Sequence, residues 1–187
     1  MIYKYILNKI IWPISELITS GSIKKKYEFL KKSDKWNVES IERYQNQKLR
    51  KLISHAYKNV PYYNKIFENS NITPDNIKTI KDLDKIPLTD KSKIKNNTIK
   101  AKNVKTYFSK FTSGSTGQPT RFLHTMNSIS WFWASQFRSW NIHGYEVGDK
   151  YVKVSLNTRD RLWKKIQDNL MRCYYIYAYQ MNDDNIR

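Results

Sequence analysis

Glycine and cysteine are the residues that this chain has least of: five glycines and one cysteine occur among 187 residues. The single cysteine, Cys173, excludes an internal disulfide, and with three dispersed histidines it does not form a metal-site pattern. Because Cys173 opens an apolar run over residues 173–179, we expect it to be a buried packing residue, with a Cys–His nucleophilic pair as the alternative. The scarcity of glycine makes any segment that concentrates it informative.

Long apolar runs are also missing. The apolar character of residues 1–20 is interrupted at Lys4, Asn8, Lys9, Pro13 and Glu16, which excludes a membrane-spanning helix or a signal-peptide core there. Apolar side chains nevertheless recur at three- and four-residue steps, at Ile2, Ile6, Leu7, Ile10, Ile11, Ile14, Leu17 and Ile18. This spacing predicts an amphipathic helix that docks on its own domain, with peripheral contact to a membrane surface as the alternative.

Acidic residues are few relative to basic ones, and the formal net charge is +18. Residues 1–110 contain 24 Lys and Arg against 10 Asp and Glu, so most of the excess lies in the amino-terminal part. Such a balance favours a nucleic acid, an anionic membrane surface or a phosphorylated substrate as partner. Because the lysines form no long tract, the other interpretation is that they are scattered over solvated surfaces.

Apolar residues make up 40% of the chain, which predicts a folded protein. The residue pattern predicts an α/β fold, with a helical amino-terminal region followed by the start of an α/β domain whose sheet is incomplete. The expected divisions are an amphipathic helix and basic connector over 1–35, a mostly helical region over 36–105, and the first part of the α/β domain over 106–187.

Local signals predict where the elements begin and end. Asn37 is expected to cap a helix that stops before Pro61, since proline disfavours a helical residue in front of it. Asn127 or Ser128 is expected to cap another long helix, which Gly144 closes. The other expected elements are short helices from 73–75 and after 90, strands over 106–111, 120–124, 150–155 and 173–179, and a helix over 159–171.

Two of the five glycines lie in one loop between two predicted strands, within Thr112–Thr120. A phosphate chain requires converging backbone N–H groups, small residues that permit close approach, and hydroxyls that donate to its oxygens. The loop offers all three, but no lysine ends it, so it is not the P-loop of the nucleoside triphosphatases. By composition alone, a simple hairpin loop is the alternative.

The string Thr-Ser-Gly-Ser-Thr-Gly-Gln-Pro-Thr over Thr112–Thr120 resembles the phosphate-binding signature of the adenylate-forming superfamily, which contains acyl-CoA synthetases, luciferases and peptide-synthetase adenylation domains. Leu52–Tyr63 and Leu83–Lys91 resemble the amino-terminal region of the phenylacetate–CoA ligase branch, and residues 1–32 are similar to its relatives in capsular-polysaccharide loci. The resemblance covers about residues 36–187. Thr120 follows the proline of the loop, where many superfamily members have lysine, and this too is typical of the branch.

The resemblance implies an enzyme that uses ATP and Mg²⁺ to convert a small carboxylic acid into an acyl-adenylate and then passes the acyl group to a thiol such as CoA. It implies a cytoplasmic location and no specific nucleic-acid partner. It assigns no catalytic residue in this chain. The residues that it places on the β- and γ-phosphates are Thr112, Ser113, Gly114, Ser115, Thr116 and Gly117.

Members of this family are more than twice as long, and their adenine, ribose and hinge motifs and carboxy-terminal lysine have no counterpart here. We therefore expect the chain to be inactive by itself. It would be a piece of a longer sequence, a non-catalytic remnant, or half of a split enzyme completed by a complementary chain. An alternative from another class is a basic module that binds nucleic acid or a membrane surface through residues 1–110.

Overall fold

The computed structural model describes residues 2–95, 99–112, 119–156, 158 and 160–180. The helices are α1 (Ile2–Ile6), α2 (Trp12–Thr19), α3 (Ile23–Ser33), α4 (Val38–Asn59), α5 (Pro61–Asn69), α6 (Lys91–Lys95), α7 (Met126–Ile142) and α8 (Leu162–Leu170). The strands are β1 (Phe108–Phe111), β2 (Arg121–His124), β3 (Tyr151–Ser155) and β4 (Cys173–Tyr177). A π-helical turn spans Leu7–Ile11, and 3-10 turns span Pro74–Asn76, Ile80–Lys85 and Ala178–Gln180. The residues that the structure describes are mostly helical and form two small sheets of two strands each, which confirms the predicted fold class.

The described chain divides into two compact units. Unit 1 combines Met1–Leu30 with Ser130–Arg187, and unit 2 is Lys31–Ile129. The division expected at residues 35 and 105 stays a prediction. Each unit has its own hydrophobic core.

Unit 2 is organised by α4 and α5. Ser40 N–H donates to Asn37 Oδ1 at 2.9 Å, which confirms the predicted cap of α4. Val60 is extended, with φ −116° and ψ 100°, and Pro61 is the first residue of α5. The helix therefore stops where the proline was expected to stop it, and the chain turns so that α5 packs on α4. The core that results contains Ile53, Phe67, Ile72 and Ile77.

Unit 1 is built around aromatic side chains of α7. Leu7 and Trp12 are buried against Phe137 and Val147, and the rings of Trp12 and Phe137 meet edge to face with centroids 5.5 Å apart. The amino-terminal helices thus dock on their own unit through one face, as the sequence predicted.

A charged contact also fastens α1 within unit 1. Lys4 Nζ lies 2.9 Å from Glu146 Oε2 and 2.7 Å from Asp149 Oδ1. The hydrogen bond from Lys4 is the largest cause that holds the pKa of the Asp149 carboxyl below its usual range. Gly148, which lies between these two acids in the sequence, has φ +102°, a conformation that glycine adopts without strain.

The second sheet of the chain pairs β3 with β4 in parallel, in a register that runs from Tyr151↔Cys173 to Ser155↔Tyr177. Parallel neighbours need a crossover connection, and α8 supplies it. Cys173 is 8% exposed, in agreement with its predicted packing role. Beyond β4, the chain turns into the 3-10 turn at Ala178 instead of continuing as a strand to residue 179.

The start of α7 differs from the prediction. The helix begins at Met126, so its cap is Thr125 and the expectation of Asn127 or Ser128 is wrong. Thr125 Oγ1 accepts a hydrogen bond from Ser128 N–H at 3.2 Å, while Ser128 Oγ accepts one from Thr125 N–H at 3.1 Å. Ser128 is therefore the residue inside the first turn that supports the cap. Gly144, with φ +86°, follows the end of α7 as expected.

Candidate functional site

The predicted phosphate loop lies at the closed end of a β-hairpin in unit 2. Strands β1 and β2 pair antiparallel, in a register that runs from Phe108↔His124 to Phe111↔Arg121. Both strands were predicted, each beginning one or two residues earlier than the structure shows. The register brings residues 112 and 120 opposite each other, directly beyond the last strand pair.

Thr112 and Thr120 close the mouth of the loop. Thr112 N–H donates to the Thr120 carbonyl oxygen at 3.0 Å, and Thr120 N–H donates to Thr112 Oγ1 at 3.0 Å. Of the predicted phosphate-binding residues, Thr112 is thus placed, exposed, at the end of β1. The other five, Ser113, Gly114, Ser115, Thr116 and Gly117, lie outside the described residues.

Thr120 adds a feature that sequence reasoning did not assign to the site. Its Oγ1 is buried and has no hydrogen-bond partner among the residues that the structure describes. A buried hydroxyl is costly to leave without a partner. In the sequence, its position directly after Pro119 is what sets this threonine apart.

The charge on the hairpin favours an anion. Residues 106–125 contain no Asp or Glu, while Lys110 and Arg121 lie on the two strands. Arg121 Nε donates to Ser109 Oγ at 2.9 Å, which fixes this cation across the hairpin. The site therefore combines hydroxyls with a positive local charge.

An open cleft of about 640 Å³ lies elsewhere in unit 2, along α4 and the first 3-10 turn. Its lining residues are Arg50, Ser54, Tyr57, Lys58, Pro74, Asp75 and Lys78. It contains no residue of the hairpin, so the predicted phosphate site is a loop at the end of two strands and not part of this cleft.

The described residues also bear on two other classes of site, a metal centre and a membrane-spanning helix. No group of three or more His, Cys, Asp or Glu side chains there is placed to hold a metal ion. None of the described helices has the length and apolar character needed to cross a bilayer.

Comparison with known proteins finds no matching family model. It does find relatives named phenylacetate-coenzyme A ligase. The chain is 34% identical over 127 residues to the one from Pseudomonas putida, covering 64% of this chain and 28% of the relative. It is 30% identical over 123 residues to the one from Aromatoleum evansii, covering 62% and 27%. It is 32% identical over 97 residues to the one from Escherichia coli (strain K12), covering 50% and 22%. The chain thus matches about a quarter of the length of these curated relatives.

Proposed function

We propose that this chain, which is similar to phenylacetate-coenzyme A ligases over half or more of its length, supplies the phosphate-binding hairpin of an adenylate-forming, ATP-dependent ligase that activates a carboxylic acid. The observation that carries the proposal is the closed hairpin mouth. Reciprocal hydrogen bonds between Thr112 and Thr120 hold together the two ends of the loop that resembles the phosphate-binding signature.

In the proposed reaction, a carboxylate oxygen of the substrate attacks the α-phosphorus of ATP, and pyrophosphate leaves with the bonding electrons. The acyl carbon of the resulting acyl-adenylate is then attacked by a thiol such as that of CoA, and AMP leaves. The loop residues 112–117 hold the β- and γ-phosphates, so their contribution is to position and stabilise the leaving group. No proton transfer is required of them.

The two threonines at the mouth have the chemistry for this role. A hydroxyl that accepts one hydrogen bond still has its own proton to donate, so Thr112 can accept from Thr120 N–H and donate to a phosphate oxygen. The buried Thr120 hydroxyl is a second donor without a partner among the described residues. Arg121 and Lys110, on the two strands of the hairpin, add positive charge.

The hairpin accounts for phosphate binding and not for the metal, carboxylic acid and thiol sites of the reaction. Among the described residues, no group of three or more His, Cys, Asp or Glu side chains is placed to hold a metal ion, and the proposal names no Mg²⁺ ligand. The carboxylic acid and thiol sites belong to the whole enzyme, so we propose that the chain alone is inactive and that a complementary segment or chain completes it. We place the reaction in the cytoplasm, where ATP and CoA are available. A link to polysaccharide biosynthesis rests only on the resemblance of residues 1–32.

The experiment is a calorimetric titration of the purified chain with ATP. We expect the Thr112→Val variant to bind ATP about tenfold more weakly, because one hydrogen bond to a charged group contributes roughly 1.5 kcal/mol. Thr112→Ser keeps the hydroxyl, and we expect its affinity to stay within about twofold of the original chain. Thr106→Val is the matched control, since Thr106 is exposed and precedes β1.

Two results would contradict the proposal. Absence of ATP binding by the original chain, or equal affinity in Thr112→Val with circular dichroism unchanged, would exclude the hairpin as a phosphate site. Measurable ATP–pyrophosphate exchange by the chain alone would leave the site standing but refute the statement that the chain is inactive by itself.

A further inference from the structure

The amino-terminal helical run, residues 2–19, has two apolar faces. One face docks in unit 1 through Leu7 and Trp12, which are 2% and 8% exposed. Leu7 and Trp12 are only some of the apolar side chains in residues 2–19. The sequence pattern did not distinguish the docked residues from the rest, because both sets follow similar three- and four-residue steps.

The other face remains exposed over the whole length of the run. We call it the amino-terminal stripe; it consists of Ile2, Tyr5, Ile6, Ile10, Ile14, Leu17 and Ile18. Their exposed fractions run from 39% for Ile6 to 82% for Leu17. At 1.5 Å per residue, the stripe from Ile2 to Ile18 is roughly 24 Å long. Contiguous apolar surfaces of this kind mark interaction sites.

The π-helical turn at Leu7–Ile11 keeps the stripe in line. In a continuous α-helix, each residue rotates about 100° around the axis, so Ile14 and Ile18 would lie about 80° and about 120° away from Ile6. A turn with i→i+5 bonds accommodates an additional residue and so delays this rotation. The delay returns Ile14 and Ile18 to the side of the helix that carries Ile2 and Ile6. A single stripe is the result.

The charges around the stripe identify the surface that it fits. Residues 2–15 contain no Asp or Glu, and Lys9 is exposed beside Ile10. Glu16, the first acid, is engaged away from the stripe, since its Oε1 accepts from Trp12 Nε1 at 3.2 Å and from Lys24 N–H at 2.7 Å. An apolar stripe with an exposed lysine beside it and no Asp or Glu in its own sequence up to residue 15 suits the headgroup region of an anionic membrane, in which such a helix lies parallel to the surface.

We propose that the amino-terminal stripe binds peripherally to anionic lipid membranes, with residues 2–19 lying in the plane of the headgroups. The helix is anchored to unit 1 by its docked face, so the rest of the unit stays on the aqueous side. This proposal does not depend on the ligase function, because no residue of the hairpin takes part in it.

The test is sedimentation of the full chain with liposomes of phosphatidylcholine, with and without phosphatidylglycerol. We expect the chain to sediment with the anionic liposomes. The double variant Ile10→Gln/Leu17→Gln should lower the partition coefficient at least about tenfold, because it removes two apolar side chains from the buried face. Lys9→Gln should lower it by about fivefold on anionic liposomes alone. Ile142→Gln is the matched control, an isoleucine of unit 1 that is 71% exposed and lies outside the stripe.

Three results would overturn the proposal. The first is no binding to anionic liposomes by the original chain, and the second is equal binding by the double variant and the control. The third is a concentration-dependent dimer in sedimentation velocity that the double variant abolishes, with no lipid binding, since a second copy would then cover the stripe. Because stripe residues are exposed, these substitutions should leave the circular dichroism spectrum unchanged.

Discussion

The core of unit 2 should depend on Ile77 more than on any nearby exposed isoleucine. Ile77 is 0% exposed and packs with Ile53, Phe67 and Ile72. Ile77→Ala removes three carbon atoms, which at about 0.8 kcal/mol each amounts to roughly 2.4 kcal/mol of lost burial. The cavity left behind adds to this cost, so we expect a loss of about 3 to 4 kcal/mol in the free energy of unfolding.

The measurement is urea denaturation combined with amide hydrogen exchange of peptides from α4 and α5, which reports unit 2 by itself. Ile77→Val, which removes one methyl group, should cost about 1 kcal/mol. The matched control is Ile80→Ala, at a position that is 47% exposed, and it should cost less than about 1 kcal/mol. If Ile77→Ala costs no more than this control, the packing argument for unit 2 is refuted.

Two further predictions concern single interactions. Asn37→Ala removes the acceptor for Ser40 N–H and should destabilise α4 by about 1 kcal/mol in the same exchange measurement, whereas Asn37→Ser should retain most of the stability. Burial raises the pKa of Tyr145 from 10.0 to about 12, so the stability that this neutral hydroxyl contributes is complete below pH 10 and is lost as the pH rises towards 12. Between pH 10 and pH 12, the Tyr145→Phe variant should lose less unfolding free energy than the original chain. An equal loss in the two proteins would contradict the prediction that Tyr145 has a raised pKa.

Much of the helical architecture could be predicted from local signals. Asn37 caps α4 because its side chain reaches a backbone N–H three residues on, and Pro61 ends the helix because of its effect on the preceding residue. Both effects act between residues that are close in the chain, so the residue pattern is enough to predict them. The hairpin on either side of the hydroxyl-rich loop was also recognisable, since its strands are adjacent in the chain.

Other features depended on partners far away in the sequence. The parallel pairing of β3 with β4 joins segments separated by α8, and sequence pattern alone specified the strands but not their register. The buried hydroxyl of Thr120 became apparent only from the packing around it. Thr125 was missed as the cap of α7 because several neighbouring residues have side chains able to cap, and only the backbone conformation selects one of them.

The amino-terminal helical run shows most clearly which features follow from local sequence and which depend on tertiary packing. Its sequence determined that the segment is helical and apolar, because the three- and four-residue spacing and the propensities are local properties. Only the tertiary structure decided that Leu7 and Trp12 face the core while Ile10 and Leu17 face outward. The reason is that the choice of face depends on the shape of the surface formed by α7 and on the π-helical turn, and neither is encoded in the spacing of the apolar residues alone.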